Sequence, residues 1–192
     1  MTETNERLHL GAVLGKTDMM REAITEGADP NSRDSSGLTP LGQAIIHLNP
    51  HVFEVLFENG VSPNSFAIDG NPAIVLACGV NLPSILNVAT LVRWGADVNV
   101  RGGQGYTPLC IAVENDNVEL IKYLLENGAD PDMATAYGLT PLMLAARDGL
   151  TEAAGLLIER GATKETVGPE GIDAMAYAIK YGHQETASLL AK

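Results

Sequence analysis

The sequence predicts an all-α fold, an α-solenoid of about six stacked helix-turn-helix repeats, because glycines recur along it at a fixed interval. Five helix-ending glycines stand 33, 35, 33 and 33 residues apart, and a second series of five shows the same spacings. The first series is Gly27, Gly60, Gly95, Gly128 and Gly161, and the second is Gly37, Gly70, Gly105, Gly138 and Gly171. Repeats of this length stack side by side, and each packs only against its neighbours. The 192 residues hold just under six such periods.

Local chemistry within one period predicts two short helices and a projecting loop. In the fourth repeat, Thr107 is placed to cap the first helix, and Pro108 suits the first helical position, where its missing N–H would have had no partner. Thr39-Pro40 and Thr140-Pro141 repeat the same pair. Gly128 suits the left-handed residue that ends the second helix. The Ala-Asp-Pro that follows Gly128 predicts a turn into a hairpin-like finger loop.

The second helix of each repeat carries one apolar stripe. Val118, Ile121, Leu124 and Leu125 fall at positions i, i+3, i+6 and i+7, so they share a face of the helix. Burial of each such Leu or Ile contributes roughly 1.5 to 3 kcal/mol. A helix of this length does not fold alone in water. Several repeats must therefore stack, and six are enough.

Charge narrows the classes of partner. The chain has 24 acidic and 12 basic residues, a formal charge of −12 and a pI near 4.6. Nucleic-acid binding draws most of its affinity from Lys and Arg, so we expect no nucleic-acid partner. A negative field speeds encounter with a positive surface, which is compatible with a basic partner protein. Acidity that serves solubility alone is the alternative interpretation.

The sequence predicts no leader and no membrane segment. Residues Met1 to Leu14 lack a basic region and a long apolar region, and nowhere do about 18 apolar residues run together. We expect a cytoplasmic protein that is a monomer when unbound. The cysteines, Cys78 and Cys110, lie in apolar helical stretches, which predicts small buried hydrophobes rather than a disulfide or a nucleophile.

The motifs that recur in register resemble ankyrin repeats. They are the Gly-x-Thr-Pro-Leu opening, the Ala-Ala-x-x-Gly centre at residues 145–149 and the Leu-Leu-x-x-Gly-Ala-Asp close. The resemblance covers the chain from about Asn5 to Lys192. It implies one ankyrin repeat domain over residues 1–192, with repeats at approximately 1–33, 34–66, 67–101, 102–134, 135–167 and 168–192.

Three departures from the family pattern lead to expectations of their own. The first repeat lacks Thr-Pro and the last has Asp173-Ala174 instead, which indicates atypical capping repeats at both ends. The third repeat gains about three residues around Val80 to Pro83, so we expect a longer bend there, as a tolerated insertion or as a contact site. The His that often follows Thr-Pro-Leu is replaced in every repeat, as by Gly42 in the second, so we expect stability below that of a consensus array.

No catalytic or metal-binding pattern emerges. The four histidines are scattered, and His183 lies in a Gly-His-x-Glu segment that resembles the family's structural bend. Residues 102–105 are rich in glycine, but no strand precedes them and no Lys follows, as a phosphate-binding loop requires. We expect a non-enzyme without cofactor or metal. A small-molecule or enzymatic role, with a pocket near Cys78, His47 and Asn81, is the competing hypothesis.

The resemblance also selects candidate binding residues, because ankyrin partners generally contact the finger tips and the exposed residues of the first helices, which together line a concave groove. The candidates are Arg33, Phe66, Asp69, Gln104, Tyr106, Glu114, Asn115, Tyr137, Leu139, Arg147, Asp148 and Tyr181. Four are aromatic on a face expected to be wet, and large aromatic side chains commonly anchor protein interfaces. The alternative is that each aromatic ring covers the turn beside it.

The function that the resemblance implies is recognition of another protein by a rigid, non-catalytic scaffold. Inhibition by occlusion is one version, as in an immunity protein that blocks a toxin or enzyme. An effector or adaptor that binds a host or signalling protein is the alternative. A structural spacer without a specific partner is a third hypothesis.

Overall fold

The computed structural model describes residues 2–68, 70–79, 85–169 and 171–192, and the chain forms two compact units, Met1–Asp97 and Val98–Lys192. The helices of the N-terminal unit are α1 (Glu3–Leu14), α2 (Thr17–Thr25), α3 (Pro40–Ile46), α4 (Phe53–Glu58), α5 (Ala73–Gly79) and α6 (Ile85–Arg93), with a 3-10 turn at Pro50–Val52. The C-terminal unit has α7 (Pro108–Glu114), α8 (Val118–Glu126), α9 (Pro141–Asp148), α10 (Thr151–Glu159), α11 (Ala174–Tyr181) and α12 (Gln184–Leu190), with a 3-10 turn at Gly103–Gly105.

The helices of the N-terminal unit pair in chain order. Each odd-numbered helix contacts the even-numbered helix that follows it, and α3 also contacts both α1 and α5. The interior is apolar, with Leu8, Phe53, Leu56 and Val88 fully buried. These are first helices packed in a row with a second helix behind each, which is the stacking that the glycine period predicts.

The C-terminal unit repeats this arrangement. Its first helix α9 contacts α7 and α11, and its second helix α10 contacts α8 and α12. Ile121 and Leu124 of the predicted stripe are fully buried, and Leu125 is 9% exposed. Val118 is only partly buried, because it is the first residue of α8 and lies next to the bend.

The predicted turn and cap chemistry is confirmed. All ten glycines of the two periodic series have φ between +70° and +96°, a region that side-chain-bearing residues rarely adopt. Thr107 Oγ1 accepts from the Cys110 backbone N–H at 3.1 Å, and Pro108 occupies the first helical position. Asp173, which replaces Thr in the last repeat, caps α11 by accepting from Ala176 N–H at 2.8 Å.

The finger of the third repeat is a short antiparallel pair of strands, β1 (Phe66–Ile68) and β2 (Asn71–Pro72). The carbonyl of Ala67 accepts from Thr39 N–H at 3.0 Å, which ties this finger to the start of α3. A Cβ at Gly42 would lie 2.5 Å from the Ala67 oxygen. Glycine at the position of the family's histidine therefore permits this close approach. The predicted longer bend at Val80 to Pro83 lies outside the described residues.

An asparagine ladder joins successive fingers within each unit. Asn99 accepts from Asp130 N–H at 2.8 Å and donates to the Gly128 carbonyl at 3.0 Å. Asn64 makes the same two bonds, to Asp97 N–H at 2.7 Å and the Gly95 carbonyl at 3.1 Å. Each ladder residue stands four positions after a helix-ending glycine, so the period itself sets the pairing.

Candidate functional site

The candidate binding residues fall into two groups, one in each unit. Arg33 and Phe66 belong to the N-terminal unit, and Asp69 lies outside the described residues. The other nine belong to the C-terminal unit, where the fingers and the ends of α7, α9 and α11 present them. Most of the predicted binding residues therefore lie in the C-terminal unit.

The ends of α7 and α9 position the charged candidates. Each helix begins at the same Thr-Pro cap, so equivalent residues of the two helices lie side by side. Glu114 ends α7, and Arg147 lies in the last turn of α9, 33 residues later along the chain. A basic side chain in the last turn also interacts favourably with the helix carbonyl ends.

Four of the predicted residues form one hydrogen-bonded group, called here the Arg147 cluster: Tyr106, Glu114, Arg147 and Asp148. The Tyr106 hydroxyl donates to Glu114 Oε1 at 2.8 Å, and Arg147 Nη2 lies 3.4 Å from the same oxygen. Arg147 also forms a bidentate ion pair with Asp148, in which Nε donates to Oδ1 at 2.8 Å and Nη2 donates to Oδ2 at 2.7 Å. Bidentate pairs fix a guanidinium in one orientation.

Protonation in the cluster follows from these contacts. Hydrogen bonding to Asp148 raises the pKa of the Arg147 guanidinium, with burial opposing and Glu114 adding to the rise. Burial, together with the hydrogen bond to Glu114 and its charge, raises the pKa of Tyr106 to about 12. The cluster therefore holds a cation and a neutral phenol at neutral pH, and the formal charges of its one basic and two acidic residues sum to −1.

A histidine of the last repeat, His183, contacts the end of the helix that carries Arg147. His183 Nε2 lies 2.9 Å from the Arg147 carbonyl oxygen, at the point where α9 ends in Gly149. A side chain that bonds a terminal carbonyl satisfies a group that the helix itself leaves open. The structural role expected for His183 at the bend is confirmed.

Exposed aromatic side chains stand in the same unit. Tyr137 is 57% exposed and Tyr181 is 49% exposed, and Lys180 Nζ lies 5.4 Å from the centre of the Tyr181 ring. Tyr106 is less exposed than a free anchor would be, because its hydroxyl is held by Glu114. For this residue the alternative, a ring that covers its own turn, describes the geometry better.

The remaining candidates of this unit differ in accessibility. Asn115 and Gln104 are exposed, and Leu139 is partly buried. Gln104 has φ +56°, and its carbonyl accepts from Ala136 N–H at 3.0 Å, which joins two neighbouring finger tips. The backbone of Gln104 thus has a structural role, and its side chain faces outward.

In the N-terminal unit the two described candidates lie on different finger loops. Arg33 Nη1 donates to the Gly37 carbonyl at 2.6 Å, within its own finger. Phe66 is 50% exposed on strand β1. Sequence reasoning missed the exposed Leu14 and Ile46 of this unit, at 51% and 40%. Ile46 is the repeat equivalent of Glu114 and Arg147, and that alignment would have found it.

Other side chains bear on the remaining hypotheses. Cys78 and Cys110 are both buried, as predicted, and burial raises the pKa of both thiols. Within the described ranges no three His, Cys, Asp or Glu side chains approach closely enough to hold a metal ion. No helix in those ranges is both long and apolar enough to cross a bilayer.

A cavity of the N-terminal unit lies between Leu48 and Trp94. Cys78 and His47 are not among the residues that line it, and Asn81 lies outside the described residues. The small-molecule pocket expected from the sequence in that region stays a prediction.

Two solved structures with a similar fold come from bacterial proteins. An ankyrin repeat domain from Acinetobacter baumannii AYE aligns with a TM-score of 0.86 at 23% identity and covers 96% of this chain and 95% of its own. A chain in the complex of a predatory endopeptidase from Bdellovibrio bacteriovorus with an immunity protein aligns with a TM-score of 0.81 at 24% identity, covering 97% of both chains. These likenesses establish the fold.

Sequence relatives are portions of much larger proteins. Human neurogenic locus notch homolog protein 2 is 35% identical over 121 residues, which is 62% of this chain and 5% of the relative. The human transient receptor potential cation channel subfamily A member 1 is 27% identical over 163 residues, 64% of this chain and 15% of the relative. The chain thus spans only a small fraction of the length of these relatives.

Family models cover most of the sequence. A model described as ankyrin repeats in three copies matches residues 74–168 and 109–192, and a second ankyrin model matches residues 8–57. The three-copy model alone covers more than half of the 192 residues. The chain therefore belongs to the ankyrin repeat family.

Proposed function

We propose that this chain is a non-catalytic scaffold that binds another protein through the surface around the Arg147 cluster of the C-terminal unit. The observation that carries the proposal is the cluster itself. Its guanidinium is held between Asp148 and Glu114, while Tyr137 and Tyr181 are exposed on the fingers and helix ends of the same unit. Fixed charges beside exposed aromatic rings are the composition of protein-binding hot spots.

Preorganisation favours this surface over the other exposed charges of the chain. Binding costs free energy for every side chain that must be ordered in the complex. Arg147 is already fixed by a bidentate pair, whereas the outer-face acids such as Glu119 and Glu152 are exposed without this constraint. Less ordering remains to be done when a partner docks on the cluster.

The proposed partner is a protein with a basic contact surface. The cluster is negative, and so is the chain, at −12. Complementary charge speeds association and selects among partners more than it raises affinity. We propose that the chain is a cytoplasmic monomer before binding.

Inhibition by occlusion is the form of recognition that we propose first. The endopeptidase–immunity protein complex supports it as a precedent, since one of its chains shares the fold over nearly its whole length. A role as effector or adaptor would use the same surface.

Site-specific photo-crosslinking in the native source tests the proposal. A benzophenone amino acid is placed at Tyr137 or at Tyr181, and as matched controls at Glu119 or Glu152, which are exposed on the second helices α8 and α10. The proposal predicts one and the same crosslinked protein from positions 137 and 181 and none from 119 and 152. Crosslinks confined to the second helices would contradict it.

A further inference from the structure

A cavity of about 360 Å³ lies in the N-terminal unit, on the side of the second helices. Its lining is apolar at Leu48, Pro50, Leu86 and Trp94 and polar at His51, Glu54, Thr90 and Arg93. Pockets of this size that combine apolar walls with a few polar groups are typical of small-molecule sites. This cavity takes no part in the binding surface proposed above.

Leu48 occupies a strained backbone position at the cavity. Its φ is +57°, at the bend where the equivalent residues of other repeats are Gly15, Asp116, Gly149 and Gly182, all at positive φ, and Leu48 is the one of these with a large apolar side chain. A bulky side chain rarely adopts this conformation, and such strain concentrates at functional sites. Leu48 is also 40% exposed, so its side chain adds little to the core. What the leucine supplies here is an apolar wall of the cavity.

Further apolar walls come from α6 and from the residue that follows it. Leu86 is 59% exposed and Trp94 is 36% exposed. The Trp94 ring is held by Phe57, with ring centres 5.2 Å apart. The indole N–H has no hydrogen-bond partner among the described residues. Apolar groups of an occupant would cover the exposed surfaces of Leu86 and Trp94.

The two charges of the cavity are opposite in sign, and neither has an ion-pair or hydrogen-bond partner in the described part of the chain. By contrast, His51, which also lines the cavity, already has a hydrogen-bond partner, since its Nε2 lies 2.8 Å from the Gly15 carbonyl oxygen. Glu54 and Arg93 are therefore free to bind an occupant that carries both a cation and an anion. Opposite charges beside apolar walls favour an occupant that carries both charges and apolar groups.

The register of the repeats gives the offset of these two residues along the helix direction. Glu54 stands six residues before Gly60 and Arg93 two residues before Gly95, the equivalent glycine of the next repeat. The offset of four residues amounts to about 6 Å. The two residues lie on different helices, α4 and α6, and packed helices are usually about 8 to 10 Å apart, so their backbones are farther apart than this offset. This arrangement favours an occupant whose ammonium and carboxylate groups are well separated, as they are at the two ends of a dipeptide.

We propose that this cavity binds a zwitterionic ligand of dipeptide size with apolar side chains. The ligand carboxylate pairs with Arg93, its ammonium group pairs with Glu54, and its side chains pack against Leu48, Leu86 and Trp94.

Fluorescence titration tests the proposal, because Trp94 is the single tryptophan of the chain. The probes are leucyl-leucine, its N-acetyl derivative, its C-terminal amide and the doubly blocked form. We expect a saturable change with leucyl-leucine and at least tenfold weaker binding of each singly blocked form. Equal binding by the doubly blocked peptide would assign the cavity to an apolar segment of a protein and overturn the proposal, as would no change at millimolar concentration.

Variants assign each end of the ligand. Arg93→Gln should abolish the preference for the free carboxylate over the amide, and Glu54→Gln should abolish the preference for the free ammonium over the N-acetyl form. Lys122→Gln, an exposed charge of the C-terminal unit, is the matched control and should change neither preference. If both preferences survive in Arg93→Gln and Glu54→Gln, the assignment is wrong.

Leu48→Gly separates binding from folding. Glycine relieves the positive-φ strain, so the variant should unfold at a higher temperature while it binds leucyl-leucine at least fivefold more weakly. Unchanged affinity in a stabilised variant would show that the leucine does not serve the cavity, and would contradict the proposal.

Discussion

The Tyr106 hydroxyl lies 2.8 Å from Glu114 Oε1 and donates to it. This bond links the segment just before α7 to the last residue of that helix. The same carboxylate receives Arg147 from the next repeat at 3.4 Å. This pair converts an aromatic ring that would otherwise be mobile on the surface into part of a fixed charged group.

Tyr106 should ionise late. Burial and Glu114 disfavour the phenolate, and the pKa is about 12 against an ordinary value of 10. Between those values the folded chain keeps a proton that the unfolded chain releases, so this contribution to stability is lost as pH rises. Absorbance titration of wild type minus Tyr106→Phe isolates this ring, and Glu114→Gln should lower its pKa. Ionisation near 10 in wild type would be inconsistent with the hydrogen bond.

His9 should make the fold sensitive to mild acid. Burial lowers its pKa below the ordinary 6.5, although the charge of Asp34 and hydrogen bonding to Ser32 oppose the shift. Below 6.5 the unfolded chain binds more protons at this site than the folded chain, so stability falls as pH drops. Urea unfolding of wild type and His9→Gln at several pH values checks this. The wild type should lose more stability than the variant between about pH 7 and 5, and parallel losses would refute the assignment.

Gly149 should tolerate alanine less well than its counterpart Gly182. The two glycines follow the last residues of the first helices α9 and α11, at φ of +73° and +84°. A Cβ at position 149 would lie 2.4 Å from His183 Nδ1, whereas a Cβ at position 182 would have nothing within 4 Å. Gly182→Ala should cost about 1 kcal/mol for the backbone alone, and Gly149→Ala about 1 to 3 kcal/mol more as the His183 ring is displaced. Chemical denaturation measures both, and equal losses would show that His183 yields without cost.

The asparagine ladder should be worth more than an ordinary surface amide. Asn99→Ala removes both bonds to the next finger, so we expect a loss of about 1 to 3 kcal/mol. Asn99→Asp keeps the acceptor for Asp130 N–H, as Asp132 does for Thr163 N–H at 2.8 Å, and should lose less. Denaturant midpoints compare the two variants. Equal losses in the two variants would contradict this prediction and mean that the donor bond to the Gly128 carbonyl carries the effect.

Much of the fold could be predicted because the repeat depends on local chemistry. A positive-φ glycine, a Thr cap and a Pro at the first helical position each act within four residues, so each can be recognised in isolation. The period then brings equivalent positions together. The ladder through Asn99 and the equivalence of Ile46 with Arg147 follow from the same period, and a register comparison of the repeats would have found them.

The candidate site was predictable as a set of residues and not as a geometry. Glu114 and Arg147 are each selected by position, but their contact depends on how two helices pack, which no single repeat encodes. The covering of Tyr106 depends on the same contact. Leu48 was missed for another reason: a leucine in a glycine position has no local signal beyond the absent glycine, and the strain appears only in the backbone angles.

The affinity of the crosslinked partner for matched variants tests the central claim most directly. Arg147→Ala and Tyr137→Ala should each raise the Kd at least tenfold, a loss of about 1.4 kcal/mol, while Glu119→Ala, on the second helix α8, leaves it unchanged. The opposite pattern, with affinity lost at Glu119 and retained at Arg147 and Tyr137, would place the partner elsewhere and contradict the account.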